Sequence, residues 1–392
     1  MEPPAPRVAS LFLVPPTLVG VGILLFIALL NRRRDLVLVS LLVLTVALGA
    51  KLWARRGAAG VAPRLLVDRR RLFPGEVVTL TAGLQNRGCL PVALHLTLPV
   101  DGLGGTPALS REGGLLWYQE AEFRWPIPAP RRGVHRVGPL HATVGDPFGF
   151  FASGLTGGEA LEILVYPRIH PLPRVALPRR DFFGVPGAES AVRDPVYILG
   201  TRDYQPGAPA KHIHWKASAR HDRLQEKLFE PTEQEKVLLA LDVDGYARQG
   251  AGAEFERAVE AVASLAARLD RDGCAVGLLT NGAGGGQAGG LPIRRTADQL
   301  AAILERLARL RMVSGAALQD VARDALQLPW GVSALCVALE PGAATEAIQG
   351  YFARRHVPVA FFVSRPAAAP GASGRGPGGV RLLRSLLREG RP

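Results

Sequence analysis

The stretch DYQPGAPAKHIHWKASARH, residues 203–221, gathers Tyr204, Lys211, His212, His214, Trp215, Lys216, Arg220 and His221 into one polar run. Three uses suit these residue types. His212 and His214 are two apart, so on a strand they share a face and, with His221, offer imidazole nitrogens to a metal ion. No Cys, Asp or Glu stands at ligand spacing inside the run, although Asp222 follows His221, so solvated or hydrogen-bonded histidines are the default. Basic side chains around a Trp suit single-stranded nucleic acid, but the pattern occurs once and carries one Trp. The third use is structural, and it is the preferred reading: Trp215 buried as an anchor, with Arg202 and Arg220 bridging neighbouring domains through Glu226 or Glu230.

A second candidate lies at KVLLALDVD, an apolar run ending in Asp242 and Asp244. This is the pattern of a buried parallel strand whose C-terminal end faces a ligand crevice. The two carboxylates offer hard oxygen ligands for Mg²⁺; equally, they suit the N-terminus of the next helix or a Lys or Arg from another loop. Thr280 and Glu340, at later strand ends, are further candidates. NGAGGGQAGG, residues 281–290, lacks the Gly-Lys-Ser/Thr ending of a phosphate loop and reads as a flexible surface loop. Cys89, Cys274 and Cys336 are far apart in or beside apolar runs, which points to buried small hydrophobes rather than a disulfide or zinc framework. With no Ser-His-Asp set, CxxC pair or HExxH motif, the sequence offers no catalytic constellation.

These residues need elements to hold them. The chain of 392 residues is long enough for two soluble domains and more, and its net charge of +13 admits nucleic acid, an anionic membrane or an acidic partner. Leu11–Leu30 carries no charge and would span about 30 Å as a helix, the thickness of the hydrocarbon core. The run Leu36–Ala50 reaches a full span if Lys51 snorkels and Trp53 lies at the interface. Only NRRRD joins the two, which predicts a transmembrane hairpin over residues 1–60 with everything after Trp53 on one side. Arg32, Arg33 and Arg34 stand on one flank against Arg7, Lys51, Arg55, Arg56 and Arg64 on the other, which favours a cytoplasmic position for the soluble part. The Arg cluster follows without a small-residue cleavage site, which distinguishes the first span from a signal peptide.

Residues 62–170 change period. Val78, Leu80, Ala82 and Leu84, then Val92, Leu94, Leu96 and Leu98, alternate with other residues as half-buried strands do, predicting a small β-sandwich. His95, His135 and His141 are expected on exposed polar faces. In 235–365 buried strands alternate with helical patterns: KVLLALDVD, AEFERAVEAVASLAARLDRDG, CAVGLLT, a helix capped by Thr296, VSALCVALE, ATEAIQGYFARR and VPVAFFV. Four strands with interposed helices predict a doubly wound α/β sheet. Residues 366–392 read as a low-complexity linker and a short basic helix, VRLLRSLLREGRP.

Within RRGVHRVGPLHATVGDPFGFF, residues 131–151, Arg132, Gly133, Gly138, Pro139, Asp146, Pro147, Phe148 and Gly149 resemble a hallmark of the bacterial family called domain of unknown function 58. His135 stands near where that family often has Tyr. Physically, Asp146-Pro147 favours a turn, Gly149 permits a backbone angle other residues resist, and Phe148 and Phe150 are expected to anchor the turn in a core. A second signature of that family is matched by Arg202, Tyr204, Gly207, Ile213, Trp215, Ser218, Ala219 and Arg220, with Ala208 in place of Asp and Lys211 in place of Arg, so the bidentate pair of those two positions cannot form. The resemblance implies a von Willebrand factor type A-like (Rossmann-like) domain at 235–365, joined to the β domain by the signature segment 171–234. Such domains often bind a metal through Asp-x-Ser-x-Ser; here Asp242 fits, while Asp244 and Tyr246 replace the two serines. It also implies a MoxR-type AAA+ ATPase as partner. The resulting expectation is a two-pass protein of the inner membrane, non-enzymatic, acting as an interaction scaffold and not on nucleic acid. The rivals are an envelope-facing adhesion or assembly module and a metal-dependent hydrolase at Asp242 and Asp244.

Overall fold

The computed structural model describes residues 10–173 apart from 104, 106 and 130, then 175, 177–178, 198–204, 213–229, 235–284, 289–313, 315–325, 328–366 and 380–383. Gly207, Ala208, Lys211, His212 and Glu230, and with them part of the second signature, lie outside the described residues. The chain divides into two units, Met1–Arg168 and Ile169–Pro392.

The first unit opens with helix α1 (Ser10–Leu30) and helix α2 (Arg34–Gly60), which meet at a short turn where Arg32 takes a left-handed backbone, φ 51°. Among the described residues, α2 is the helix long and apolar enough to cross a membrane. Leu36, Leu38, Val39, Leu41 and Leu42 are exposed along it, while Ala50, Ala54, Gly57 and Ala58 near its end are buried. Those small side chains let the last turns sit against the β structure that follows. Trp53, expected at a membrane interface, donates its indole N–H to the Pro91 carbonyl at 2.8 Å, so its polar end is spent on protein.

From Gly60 the chain passes without a linker into β1 (Val61–Val67). There follow β2 (Arg71–Leu72), β3 (Val77–Asn86), β4 (Val92–Pro99), β5 (Ala108–Leu115), β6 (Glu120–Pro128), β7 (Gly133–Val137), β8 (Leu140–Gly145), β9 (Ala152–Gly157) and β10 (Leu161–Val165). They form sheets of order β1-β3-β6, β5-β4-β8-β9 and β2-β10-β7. The alternating residues predicted to face inward do so: Val78, Leu80, Ala82 and Leu84 share one core with Val92, Leu94, Leu96 and Leu98. Two expectations fail here. His135 is buried, not exposed, with its ring nitrogens 3.3 Å from the Asp101 carbonyl and 3.2 Å from that of Arg131; in either tautomer a backbone carbonyl accepts the N–H of a ring that alternation carries inward. Cys89 is exposed, because it falls in the β3–β4 loop rather than on a strand, while Cys274 and Cys336 are buried.

The second unit begins with β11 (Ile198–Asp203), α3 (Trp215–His221) and β12 (Gln225–Phe229), in which β11 and β12 pair antiparallel. An α/β portion follows: β13 (Lys236–Leu241), α4 (Asp244–Gln249), α5 (Gly252–Arg271), β14 (Ala275–Thr280), β15 (Gly289–Arg294), α6 (Gln299–Arg309), α7 (Leu318–Ala325), β16 (Val332–Ala338), α8 (Ala343–Arg354), β17 (Val359–Val363) and β18 (Val380–Leu382). These strands make one sheet of order β15-β14-β13-β16-β17-β18, parallel except for β15 at the edge. Leu238 and Ala240 pack with residues of α7 and α8, which leaves Val237, Leu239 and Leu241 for the other face. Strand β13 is therefore apolar throughout because it is covered on both sides.

The sheet is larger than the four strands predicted. β15 is a short edge strand with a register break opposite β14, too irregular to show a clean period. Val380–Leu382, predicted to start a basic helix, instead add β18 beside β17; residues 384–392 lie outside the described residues. Helix α6 begins at Gln299 with Asp298 at its N-cap, so Thr296 does not cap it; its carbonyl accepts the Gln299 N–H at 3.0 Å instead.

Candidate functional site

The sheet order reverses around β13: β14 lies on one side and β16 on the other, both in register with Leu241 through Thr280 and Val337. In open parallel sheets such a reversal opens a crevice at the carboxyl ends of the strands. Asp242 is the first residue past that end. Its N–H donates to the Val337 carbonyl at 2.9 Å, and its side chain is buried.

The carboxylate is already engaged. Asp242 Oδ1 accepts from Asn281 Nδ2 at 2.9 Å and from the Asp244 N–H at 3.3 Å. Asn281 in turn accepts the Val243 N–H at 2.8 Å through its own Oδ1. Burial raises the Asp242 carboxyl above its ordinary range; the Asn281 amide and the Asp244 N–H oppose the rise, the Asp244 charge adds to it, and Arg248 opposes it. Asp244 is half-buried at the start of α4, and its carboxylate is paired with the Arg248 guanidinium one turn on.

Around this pair the other strand ends supply polar groups. Tyr246 is fully buried, with its hydroxyl 2.8 Å from Ser364 Oγ just past β17, and burial pushes that hydroxyl well up from its usual range. Gln249 donates to Glu340 at 2.6 Å and accepts from Arg365 at 3.0 Å. Arg365 reaches Glu254 at 3.0 Å and, through that hydrogen bond, lowers its carboxyl below the usual range. Thr280 is buried and accepts the Gly282 N–H at 3.3 Å.

The polar groups of this strand end are engaged with one another: Asn281 puts an N–H on Asp242 Oδ1, Arg248 pairs with Asp244, and the Tyr246 hydroxyl meets Ser364. Among the described residues no three His, Cys, Asp or Glu side chains stand together as a metal site. The residues that sequence reading missed are Asn281, Arg248, Ser364 and Arg365. Asn281 enters only with the sheet order: with β13 and β14 paired in parallel and Leu241 beside Thr280, residues 242 and 281 must be neighbours.

The signature segment, described at 198–204 and 213–229, is a built unit around α3. His214 caps α3, its Nδ1 accepting the Ala217 N–H at 3.0 Å. Buried Ser218 donates to the His214 carbonyl at 3.1 Å and accepts the Gln225 N–H at 2.8 Å. Gln225 Nε2 and Arg223 then hold the two oxygens of Asp203 at 2.5 and 3.0 Å. Ile213 is buried and bridges to Glu226, while Tyr204 donates its N–H to the Leu224 carbonyl at 2.9 Å. The expected buried anchor is overturned: Trp215 is 68% exposed at the first position of α3, and Ala219 and Arg220 are exposed too. Trp215 opens the helix directly after the His214 cap, and its side chain is left to solvent.

In the first signature, buried Asp146 accepts the N–H groups of Phe148 at 2.8 Å and Phe151 at 2.7 Å, and Gly149 takes φ 74°, as a tight turn requires. Phe148 and Phe150 do not anchor it in a core. They are exposed and lie against each other, centroids 6.1 Å apart, because the turn projects past the last strand pair, Gly145 with Ala152.

Comparison with known proteins agrees with the resemblance at the level of one segment. The family model described as "Protein of unknown function DUF58" matches residues 200–339, from β11 to the end of β16. The "Uncharacterized protein YeaD" of Bacillus subtilis (strain 168) is 24% identical over 225 residues, 55% of this chain and 54% of that protein, so the chain spans about half the length of the curated relative it matches. Among solved structures, the CARDB domain of the PF1109 protein from Pyrococcus furiosus is similar over 27% of this chain and 91% of its own, at 13% identity and a TM-score of 0.21. Spo0M, the sporulation control protein of Bacillus subtilis, is similar over 27% of this chain and 49% of its own, at 13% identity and a TM-score of 0.19. Likeness at these scores carries nothing about function.

Proposed function

We propose that this chain is a non-enzymatic interaction protein held in the inner membrane by α1 and α2 as a two-pass hairpin, with its soluble units in the cytoplasm. The α/β portion is read as von Willebrand factor type A-like: counted from β13, its sheet runs 3-2-1-4-5-6 with the third strand antiparallel. The partner implied by the family resemblance is a MoxR-type AAA+ ATPase. The observation that carries the interaction reading is Trp215. A segment within the family match spends buried Ser218 and capping His214 on holding a helix whose Trp and Arg face outward. Exposed Trp and Arg on a rigid support are the residue types that dominate protein interfaces.

A metal-independent form of this reading is favoured by the engagement of both strand-end carboxylates within the protein, Asp242 by Asn281 and Asp244 by Arg248. The test is a pull-down of the detergent-solubilised full chain from its native membrane, with Mg²⁺ or with chelator, beside Trp215→Ala and Asp242→Ala. Recovery of an ATPase that survives chelation and fails with Trp215→Ala supports the proposal. Loss on chelation restores the metal-dependent reading, and recovery of no ATPase removes the partner.

A further inference from the structure

The β unit has two ends, and the register shows which one α2 leaves. Gly157, the last residue of β9, packs on Pro63 of β1. Gly57 lies against Val92, where β4 begins; a Cβ at residue 57 would fall 2.6 Å from Val92 Cγ1. Trp53 reaches Pro91, one residue further out. Traced backward from 63 through 57 to 53, the chain runs from one end of β8–β9 to the other and onto the β3–β4 loop. Leu52 and the exposed apolar residues before it then continue away from that end.

Two other turns project from the same end. The β8–β9 turn, 146–151, follows the pair Gly145 and Ala152, and Gly145 is opposite Ala93 of β4. The β5–β6 turn, 116–119, follows Leu115, opposite Val92, and precedes Glu120, opposite Gln85. Their tips carry Trp117 (59% exposed), Tyr118 (70%), Phe148 (72%) and Phe150 (43%). Leu52 is about 7.5 Å beyond Gly57 along the helix. Two residues of extended chain past the last strand pair reach roughly the same depth, about 7 Å. The aromatic tips therefore stand level with the boundary on α2 where apolar residues give way to exposed Arg55 and Arg56. Arg87, also exposed, lies in the neighbouring loop.

We propose that this end of the β unit rests on an anionic bilayer, with Trp117, Tyr118, Phe148 and Phe150 seated among the headgroups and Arg55, Arg56 and Arg87 facing lipid phosphate. Trp and Tyr are the side chains enriched at that depth, and each nearby basic residue adds attraction to anionic lipid. The assignment rests on the reading of α2 as a membrane anchor. It makes Asp146 a positioning residue, since its two backbone bonds hold the Phe148–Phe150 tip in shape. The β unit would then stand at a fixed height and tilt rather than swing on its helix.

The test places an environment-sensitive thiol label at Phe148→Cys, or at Val77→Cys on the opposite end, in full-length protein carrying Cys89→Ser. The protein is reconstituted in phosphatidylcholine–phosphatidylglycerol vesicles containing a lipid with a headgroup-level nitroxide. The proposal expects quenching and a blue shift at 148 and neither at 77. A Trp117→Cys label on the independent turn gives the same reading should the 148 variant misfold. No quenching at either turn in protein that resists alkaline extraction overturns the proposal and leaves the anchor standing. Extraction by alkali removes the anchor and the proposal together. A label shielded in native membranes yet water-exposed in pure lipid overturns it in favour of a protein partner.

Discussion

Asn281 donates its side-chain N–H to Asp242 at 2.9 Å while its own oxygen accepts the Val243 N–H at 2.8 Å, so one amide ties together the ends of β13 and β14. Both contacts are buried. Asn281→Ala leaves a buried carboxylate and a buried N–H each without that partner, at a cost of about 2–4 kcal/mol. Urea unfolding of the full chain, followed through the second unit, measures it as a lower midpoint at unchanged slope.

Burial raises the folded-state carboxyl of Asp242 above its unfolded value. The native state then holds its proton where the unfolded chain has released it, so this group favours folding below the unfolded value and that contribution is lost as pH rises through the folded one. Asp242→Asn keeps an oxygen for Asn281 and removes the buried charge. Its melting temperature should exceed that of the parent at neutral pH and approach it in acid. A variant less stable than the parent at neutral pH would show that the charge is better compensated than these contacts indicate.

Asp146 accepts two backbone N–H groups within a six-residue turn. Asp146→Ala should cost about 2–4 kcal/mol, since hydrogen bonds to a charged acceptor are the stronger kind and both donors are lost together. Asp146→Asn, which keeps one acceptor oxygen, should recover part of that loss in the same unfolding measurement.

Gly57 is buried where α2 meets Val92, with no room for a side chain. Gly57→Leu should cost about 1–3 kcal/mol by overpacking while leaving the protein in the membrane fraction. Faster proteolysis in 58–62, with anchoring intact, is the expected signature of a helix pushed off its seat.

The legible parts of this fold are those where one physical rule decides. Alternation placed Val78 to Leu84 and Val92 to Leu98 correctly because each strand has one covered face. The uninterrupted run of β13 announced a strand covered on both. What failed depended on distant chain. His135 shares the inward face of β7 with Val137, and the Asp101 carbonyl that lets a polar ring stay there comes from 34 positions away. Phe148 and Phe150 are apolar and near a turn, which suggests a core, yet the turn overshoots the sheet. Asp242 was legible at its strand end, but its partner was not, since Asn281 lies 39 positions away and enters only with sheet order.

Ser218 and Trp215 lie three residues apart on α3 with opposite fates, and that contrast separates folding from function. Ser218 bonds the His214 carbonyl and the Gln225 N–H, so Ser218→Ala should destabilise the 198–229 unit by about 1–3 kcal/mol. Trp215 is exposed, so Trp215→Ala should change stability by less than about 0.5 kcal/mol, as surface substitutions do. If α3 is a docking helix, the second variant loses the partner while its circular dichroism and unfolding midpoint match the parent. Were Trp215→Ala to unfold the segment instead, the tryptophan would be structural and the interaction reading would lose its strongest support.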